Sequence, residues 1–208
     1  VTGAEAPPLV LASGSPRRRE LMERLGLAFE VAPPPEGLEP PWEGTEPPLD
    51  FAADLASRKT SAVSAKRPDA VVLGADTIVV LDGAVLGKPR DERDARAMLL
   101  RLAGREHLVH TAVAIHGPGG ERRPVASGIE TTTVRFRPLE VDEIAAYVAT
   151  GEPLDKAGAY GIQGYGAALV ESVRGCFFNV MGLPVTRVLA LLEGLGWRYE
   201  FPGRLAPR

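Results

Sequence analysis

Several stretches of this 208-residue chain carry side chains suited to chemistry on phosphate esters. The first is Ser13-Gly14-Ser15-Pro16-Arg17-Arg18-Arg19. A small-residue turn leads there into a helix start, where unpaired backbone N–H groups and the positive end of the helix dipole attract anions. Arginines in a first turn oppose that dipole by a few tenths to about 1 kcal/mol each, while their planar forks suit phosphate oxygens. The pattern fits phosphate binding and fits equally a capped helix with a solvated basic end. The second stretch is Gly74-Ala75-Asp76-Thr77, which follows a run of buried-strand residues. A carboxylate at the carboxyl end of a central strand lies where open α/β sheets bind ligands. Asp76 could hold a hard cation such as magnesium, accept a proton from attacking water, or cap a turn through its own backbone.

Two further stretches are weaker when read alone. In Leu86-Gly87-Lys88-Pro89, the glycine admits close backbone approach to a ligand and Lys88 offers a point charge. The spaced glycines and trailing hydroxyl of a Walker loop are missing. The glycine-dense segment from Gly151 to Gly164 has neither helical nor strand period and reads as an irregular loop. Its Gln163 carries an amide donor and acceptor, matching a uracil or thymine edge, and would also suit an exposed turn.

Alternating helix and strand signals must position these residues. Leu9–Ala12 and Ala70–Leu73 read as short buried strands. Ser15 can cap a helix that begins at Pro16 and stops at Gly26, and a second helix is predicted over Asp50 to Ala65. Ile78–Leu81 and Ala84–Leu86 flank Asp82-Gly83, a hairpin signal. Ala95, Met98, Leu99 and Leu102 recur at helical spacing, as do Val141, Ile144, Ala145 and Val148, and Val185, Val188, Leu189 and Leu192. Strands are predicted over Leu108–Ile115 and Val125–Phe136, joined through Gly117-Pro118-Gly119-Gly120, and later over Ala168–Val173 and Phe177–Val180. The pattern predicts an α/β chain with a mixed sheet and helices outside it. Pro33 to Pro48 is too proline-rich for helix or central strand, and reads as a stiff surface loop or one bordering a site. Trp42, Trp197 and the Phe177-Phe178 pair are expected in the core rather than at an interface, and the tail after Trp197 is expected to carry little structure.

Composition narrows the classes. Hydrophobic residues make up 45% and charged residues 25%, an ordinary globular balance. Lys and Arg total 24 against 27 Asp and Glu, a net charge of -3, and no stripe of basic and aromatic residues stands out. A nucleic-acid-coating protein is therefore not expected. The single cysteine, Cys176, excludes an intrachain disulfide and suits a reducing compartment. The first eight residues lack the features of a signal peptide, and no apolar run is long enough to span a membrane. The expectation is a cytoplasmic protein with no membrane partner.

Taken together, the blocks Leu11–Arg18, Gly74–Thr77, Gly87–Pro89 and Asp155–Gly164 resemble the Maf family in both content and order. His107 and Thr111 within Gly104–Thr111 belong to that pattern, as does Gly182-Leu183-Pro184 before the last predicted helix. The resemblance runs from about Leu9 to Leu192. It implies one domain over 1–208, built as two lobes on a mixed twisted sheet with a nucleotide cleft between them, of the Maf/ITPase-like kind. It further implies hydrolysis of a nucleoside triphosphate to monophosphate and pyrophosphate with a divalent metal, usually Mg2+, and a homodimer. Ala159-Tyr160-Gly161-Ile162-Gln163-Gly164 is similar to the dTTP/UTP subgroup rather than the one acting on 7-methyl-GTP. By motif, Asp76 corresponds to the catalytic proton acceptor and a metal-binding carboxylate. Arg17, Thr77 and Gln163 match positions tied to substrate preference, while Ser13, Arg18, Lys59 and Lys88 match polar or phosphate-binding ones. The family's acidic pair after its second strand is replaced here by Glu36 and Glu39 among prolines, and Glu39 is the candidate second metal-facing carboxylate. Two other roles stay open: a house-cleaning enzyme for modified nucleotides, and a non-enzymatic nucleotide-binding regulator of cell division.

Overall fold

The computed structural model describes residues 6–120 and 125–208. At its centre lies a seven-stranded sheet in the order β2-β1-β3-β5-β6-β7, with β4 also paired to β3. The strands are β1 (Leu9–Leu11), β2 (Glu30–Val31), β3 (Val71–Leu81), β4 (Ala84–Leu86), β5 (Glu106–His116), β6 (Val125–Phe136) and β7 (Val170–Arg174). β1 runs parallel to β2 and β3, whereas β3, β4, β5, β6 and β7 pair antiparallel. The helices are α1 (Pro16–Arg24), α2 (Pro48–Ser64), α3 (Glu92–Leu102), α4 (Val141–Ala149), α5 (Phe177–Met181) and α6 (Val185–Gly194). Among the described residues, no helix is long and apolar enough to cross a membrane.

The two faces of the sheet are covered differently. On one face, Phe51, Leu55 and Ala56 of α2 pack on Ile78 and Val80 of β3 and on Ala112 and Ala114 of β5. On the other, Leu21 and Met22 of α1, Leu99 and Leu102 of α3, Ile144 and Val148 of α4, and Val188 and Leu192 of α6 share a core with Leu73, Ala75, Val109 and Val113. Strand pleating explains the division, because alternate side chains point to opposite faces. Within α2, the buried positions recur at helical spacing, and Lys59 and Thr60 occupy that stripe where apolar residues would be expected. A Cβ on Gly74 would overlap Thr60 Oγ1, so this glycine lets α2 lie close against β3.

Several elements differ from the sequence expectation. β3 is one continuous eleven-residue strand, so Gly74-Ala75-Asp76-Thr77 lies inside it and not at its end. Leu86 pairs with Val79 as the Asp82-Gly83 turn predicted, with both turn residues at positive φ. α1 starts at Pro16 as expected, but Ser15 makes no side-chain cap; its N–H donates instead to Ser13 Oγ at 3.2 Å. Phe177–Val180 is helical rather than extended. The Cys176 N–H and carbonyl both bond Thr132 Oγ1, which anchors the start of α5, and Gly182 at φ 107° ends it. The predicted strand at Ala168 begins two residues later, after a short 3-10 turn over Tyr165–Leu169. Phe177 and Phe178 are half-exposed, not core, whereas Trp197 packs against the main core and Trp42 against the α2 face. The tail is structured, because β8 (Trp197–Glu200) and β9 (Arg204–Pro207) form a hairpin. In the β5–β6 connection, Gly117–Gly120 lie among the described residues and 121–124 outside them.

Candidate active site

A break in strand pairing opens the candidate site. β1 ends opposite Leu73, while β4, on the same side of β3, begins opposite Val79. Among the described residues, Gly74 to Ile78 have strand pairing only on the β5 side. A cleft of about 750 Å3 opens at this gap, within the size range of small-molecule sites. Its walls come from the β1–α1 turn, the 34–42 loop, α2, the middle of β3, Gly87-Lys88, and the segments 155–162 and 180–182.

Pleating sends Asp76 and Thr77 to opposite faces of β3, and each finds partners there. Asp76 faces α2 and forms an ion pair with Lys59, both side chains being at least nine-tenths buried. Lys59 Nζ also lies 2.6 Å from Glu39 Oε1, and Lys88 Nζ lies 3.6 Å from Glu39 Oε2. Thr77 Oγ1 is 2.9 Å from Thr111 Oγ1, its cross-strand neighbour, and accepts from Arg18 Nη2 at 3.1 Å. The same guanidinium donates to Ser13 Oγ at 3.1 Å and to the Gly182 carbonyl at 2.7 Å. Arg18 thus joins the β1–α1 turn, β3 and the end of α5 across the cleft floor.

The electrostatics follow from burial. Desolvation pushes the Asp76 carboxyl above the ordinary carboxylate range, opposed by the charges of Lys59 and Arg18. Burial also draws the Arg18 guanidinium down, with Asp76 acting against it. Burial would raise Glu39 as well, but its bonds to Lys59 and its proximity to Lys88 hold it below its usual value. Asp76 and Glu39 flank the Lys59 ammonium, which leaves the second oxygen of each carboxylate without a contact to it. Such an all-oxygen pair fits a hard divalent cation that takes its remaining ligands from phosphate and water. Among the described residues, no group of three or more His, Cys, Asp or Glu could form a cage made of protein alone.

Of the residues picked out by sequence, Ser13, Arg17, Arg18, Glu39, Lys59, Asp76, Thr77 and Lys88 all line the cleft. Gln163 does not: it is exposed, and its amide Nε2 lies 3.4 Å from Glu20 Oε2 on α1. Its neighbours Gly161 and Ile162 are the part of that segment that borders the cleft. Glu36 is not among the lining residues. His107 sits behind the wall, with Nε2 2.9 Å from Tyr160 Oη, and burial holds it down to about 4. Trp42, expected in the core, and Asp155, Lys156 and Tyr160, named only as part of a block, also line the cleft. The Asp-Lys pair beside a glycine-dense loop was the available signal for two of them.

Comparisons with known proteins agree with this architecture. The sequence model of the Maf-like protein family matches residues 8–195. A dTTP/UTP pyrophosphatase of Thermus thermophilus is 52% identical over 196 residues, covering 94% of this chain and 99% of that protein. Proteins of the same name from Symbiobacterium thermophilum and Deinococcus radiodurans are 50% and 47% identical, over 91% and 92% of this chain and 94% of each relative. With a family match across most of its length and relatives aligned almost end to end, the chain belongs to the Maf family.

Proposed function

We propose that this protein is a nucleoside triphosphate pyrophosphatase that hydrolyses dTTP and UTP to the monophosphate and pyrophosphate. The observation that carries the proposal is the buried Asp76–Lys59 pair facing Glu39, Arg17, Arg18 and Lys88 around one cleft. The names of relatives at about half identity support the same substrates. We read the chain as one domain of two lobes, acting in the cytoplasm as a homodimer, in keeping with the family resemblance.

In this mechanism Arg17 and Lys88 meet the triphosphate from opposite walls, and Lys59 meets it from the floor. Their charges match the negative charge that builds up on departing pyrophosphate. Positioning and electrostatic stabilisation account for most catalysis of phosphoryl chemistry. Asp76 accepts a proton from the water that attacks the α-phosphorus. Its raised carboxyl makes it a better base than an exposed aspartate, while Lys59 favours the ionised form. Arg18 spends three of its donors on Ser13, Thr77 and Gly182, so its main part is to hold the floor together beneath the phosphates. Asp76 and Glu39 would hold a divalent cation, which we take to be Mg2+. When bound, that ion supplies charge neutralisation on the phosphate oxygens. Thr77 and Arg17 bear on substrate preference. Gln163, held beside Glu20 outside the cleft, contributes little to base recognition.

A pyrophosphate-release assay with and without magnesium, over UTP, dTTP, CTP, GTP and 7-methyl-GTP, tests the reading. Metal-dependent turnover of dTTP and UTP above the others is expected. Binding without turnover of any triphosphate would favour the regulator, and a preference for 7-methyl-GTP would overturn the subgroup.

A further inference from the structure

One carboxylate outside the cleft is linked by hydrogen bonds to a segment that forms part of its wall. Glu152 follows α4 and is not among the lining residues. Its Oε1 accepts from Tyr147 Oη at 2.9 Å and from the Gly166 N–H at 3.0 Å, and its Oε2 accepts from the Tyr165 N–H at 2.8 Å. Its carbonyl accepts from Lys156 Nζ at 2.6 Å. Tyr147 Oη also accepts the Gly161 N–H at 3.2 Å, which extends the chain of bonds to a residue that borders the cleft. Backbone donors aimed at an ionised carboxylate make strong hydrogen bonds. Although burial would raise Glu152, these donors hold it below its ordinary value.

The glycines of the segment give a second, independent observation. A Cβ on Gly164 would run into the Glu152 carboxylate, and one on Gly166 would lie 2.7 Å from Tyr147 Oη. A Cβ on Gly161 would lie 2.8 Å from Lys156 Cε and 3.3 Å from Glu152 Oε1. The glycine density of this irregular segment reflects close packing around one acid.

We propose that Glu152 is the positioning residue of the substrate cleft: through Tyr147 and the 161–166 backbone it fixes the Gly161-Ile162 wall against which the nucleotide lies. This rests on the proposed pyrophosphatase reading. The wall meets bound substrate, whereas Asp76 and Lys59 lie elsewhere on the cleft, so the effect falls on binding rather than on the chemical step.

The test is steady-state kinetics of full-length Glu152→Gln on dTTP, alongside wild type. The amide keeps the volume but turns one acceptor into a donor facing donors. KM is expected to rise by about tenfold, the scale of one lost charge-assisted bond, with kcat within about threefold. Tyr147→Phe, which keeps the ring and breaks the relay to Gly161, should raise KM in the same direction by a smaller factor. The double variant should add little to Glu152→Gln alone. An unchanged KM in both single variants, or a loss confined to kcat, overturns the proposal. If Glu152→Gln does not fold, Tyr147→Phe alone decides. If wild-type protein releases no pyrophosphate, the enzymatic reading fails by itself, and the dTTP dissociation constant of the same variants decides the role of Glu152 by the same fold-change.

Discussion

The floor and the rim of the cleft are built on different principles. On the floor, Asp76, Lys59 and Ser13 are buried, Arg18 is half-buried, and all are partnered; Asp76 is held by α2, and Arg18 by β3 and the end of α5. At the rim, Lys88 and Glu39 are more than half exposed, and Gln163 lies on the surface beside Glu20. A buried charge must be paired and bonded, so its geometry is fixed before substrate arrives. An exposed one retains its freedom and contributes little until a ligand restrains it. The contrast assigns chemistry to the floor and capture to the rim.

Substitutions can break or sharpen that division. The largest effect is expected for Asp76→Asn, which keeps the shape and removes the base. It should lower kcat between about a hundredfold and ten-thousandfold, with thermal unfolding confirming an intact fold. Near-normal turnover would take the chemistry away from the floor. Next is Lys59→Met, which leaves the Asp76 carboxylate buried without its main partner and should cost about 3 kcal/mol at neutral pH by denaturant titration. Burial already raises Asp76 and Lys59 opposes the rise, so removing the ammonium lets the carboxyl keep its proton to higher pH. The acid limb of kcat/KM should therefore move to higher pH. Because the folded carboxyl then titrates above its unfolded value, the variant should be relatively most stable in acid and lose stability as pH rises through that titration. A limb that stays in place would show that another group sets it.

Substitutions away from the buried pair should do less. Arg17→Ala removes one phosphate contact and should reduce kcat/KM by about ten- to a hundredfold, mostly through KM. A loss confined to kcat would move Arg17 to the floor. The smallest effect is expected for Gln163→Ala, with the preference for UTP over CTP changing by less than about threefold. A larger change would mean that the side chain leaves Glu20 and reads the base.

Much of the floor was legible in sequence because its residues sit in long blocks of defined type, as in Leu11–Arg18 and Gly74–Thr77. Their relation to the strand was not. Gly74 and Asp76 resemble turn residues, yet β3 runs straight through them, because α2 fills the space above the glycine and Lys59 neutralises the aspartate. Both causes come from a helix more than ten residues away in sequence. The run Phe177–Val180 has strand-forming side chains, but bonds from Thr132 to Cys176 and from Asn179 Nδ2 to the Val109 carbonyl fix it as a short helix. In the tail, Trp197 and Tyr199 alternate with Arg198 and Glu200, a strand signal obscured by the nearby prolines and glycine. Gln163 was legible as a residue type, but its direction was not, since Glu20 lies far away along the chain.

The close approach of α2 to β3 at Gly74 has a consequence for how the catalytic pair is set. Lys59 immediately precedes Thr60, whose hydroxyl fills the place a methyl group on residue 74 would take, and Asp76 lies two residues further along the same face of the strand. The span the ammonium must cross is therefore gauged by the thickness of a single missing side chain. A position with no charge, no side chain and no view of the nucleotide sets the reach of the most buried ion pair among the described residues.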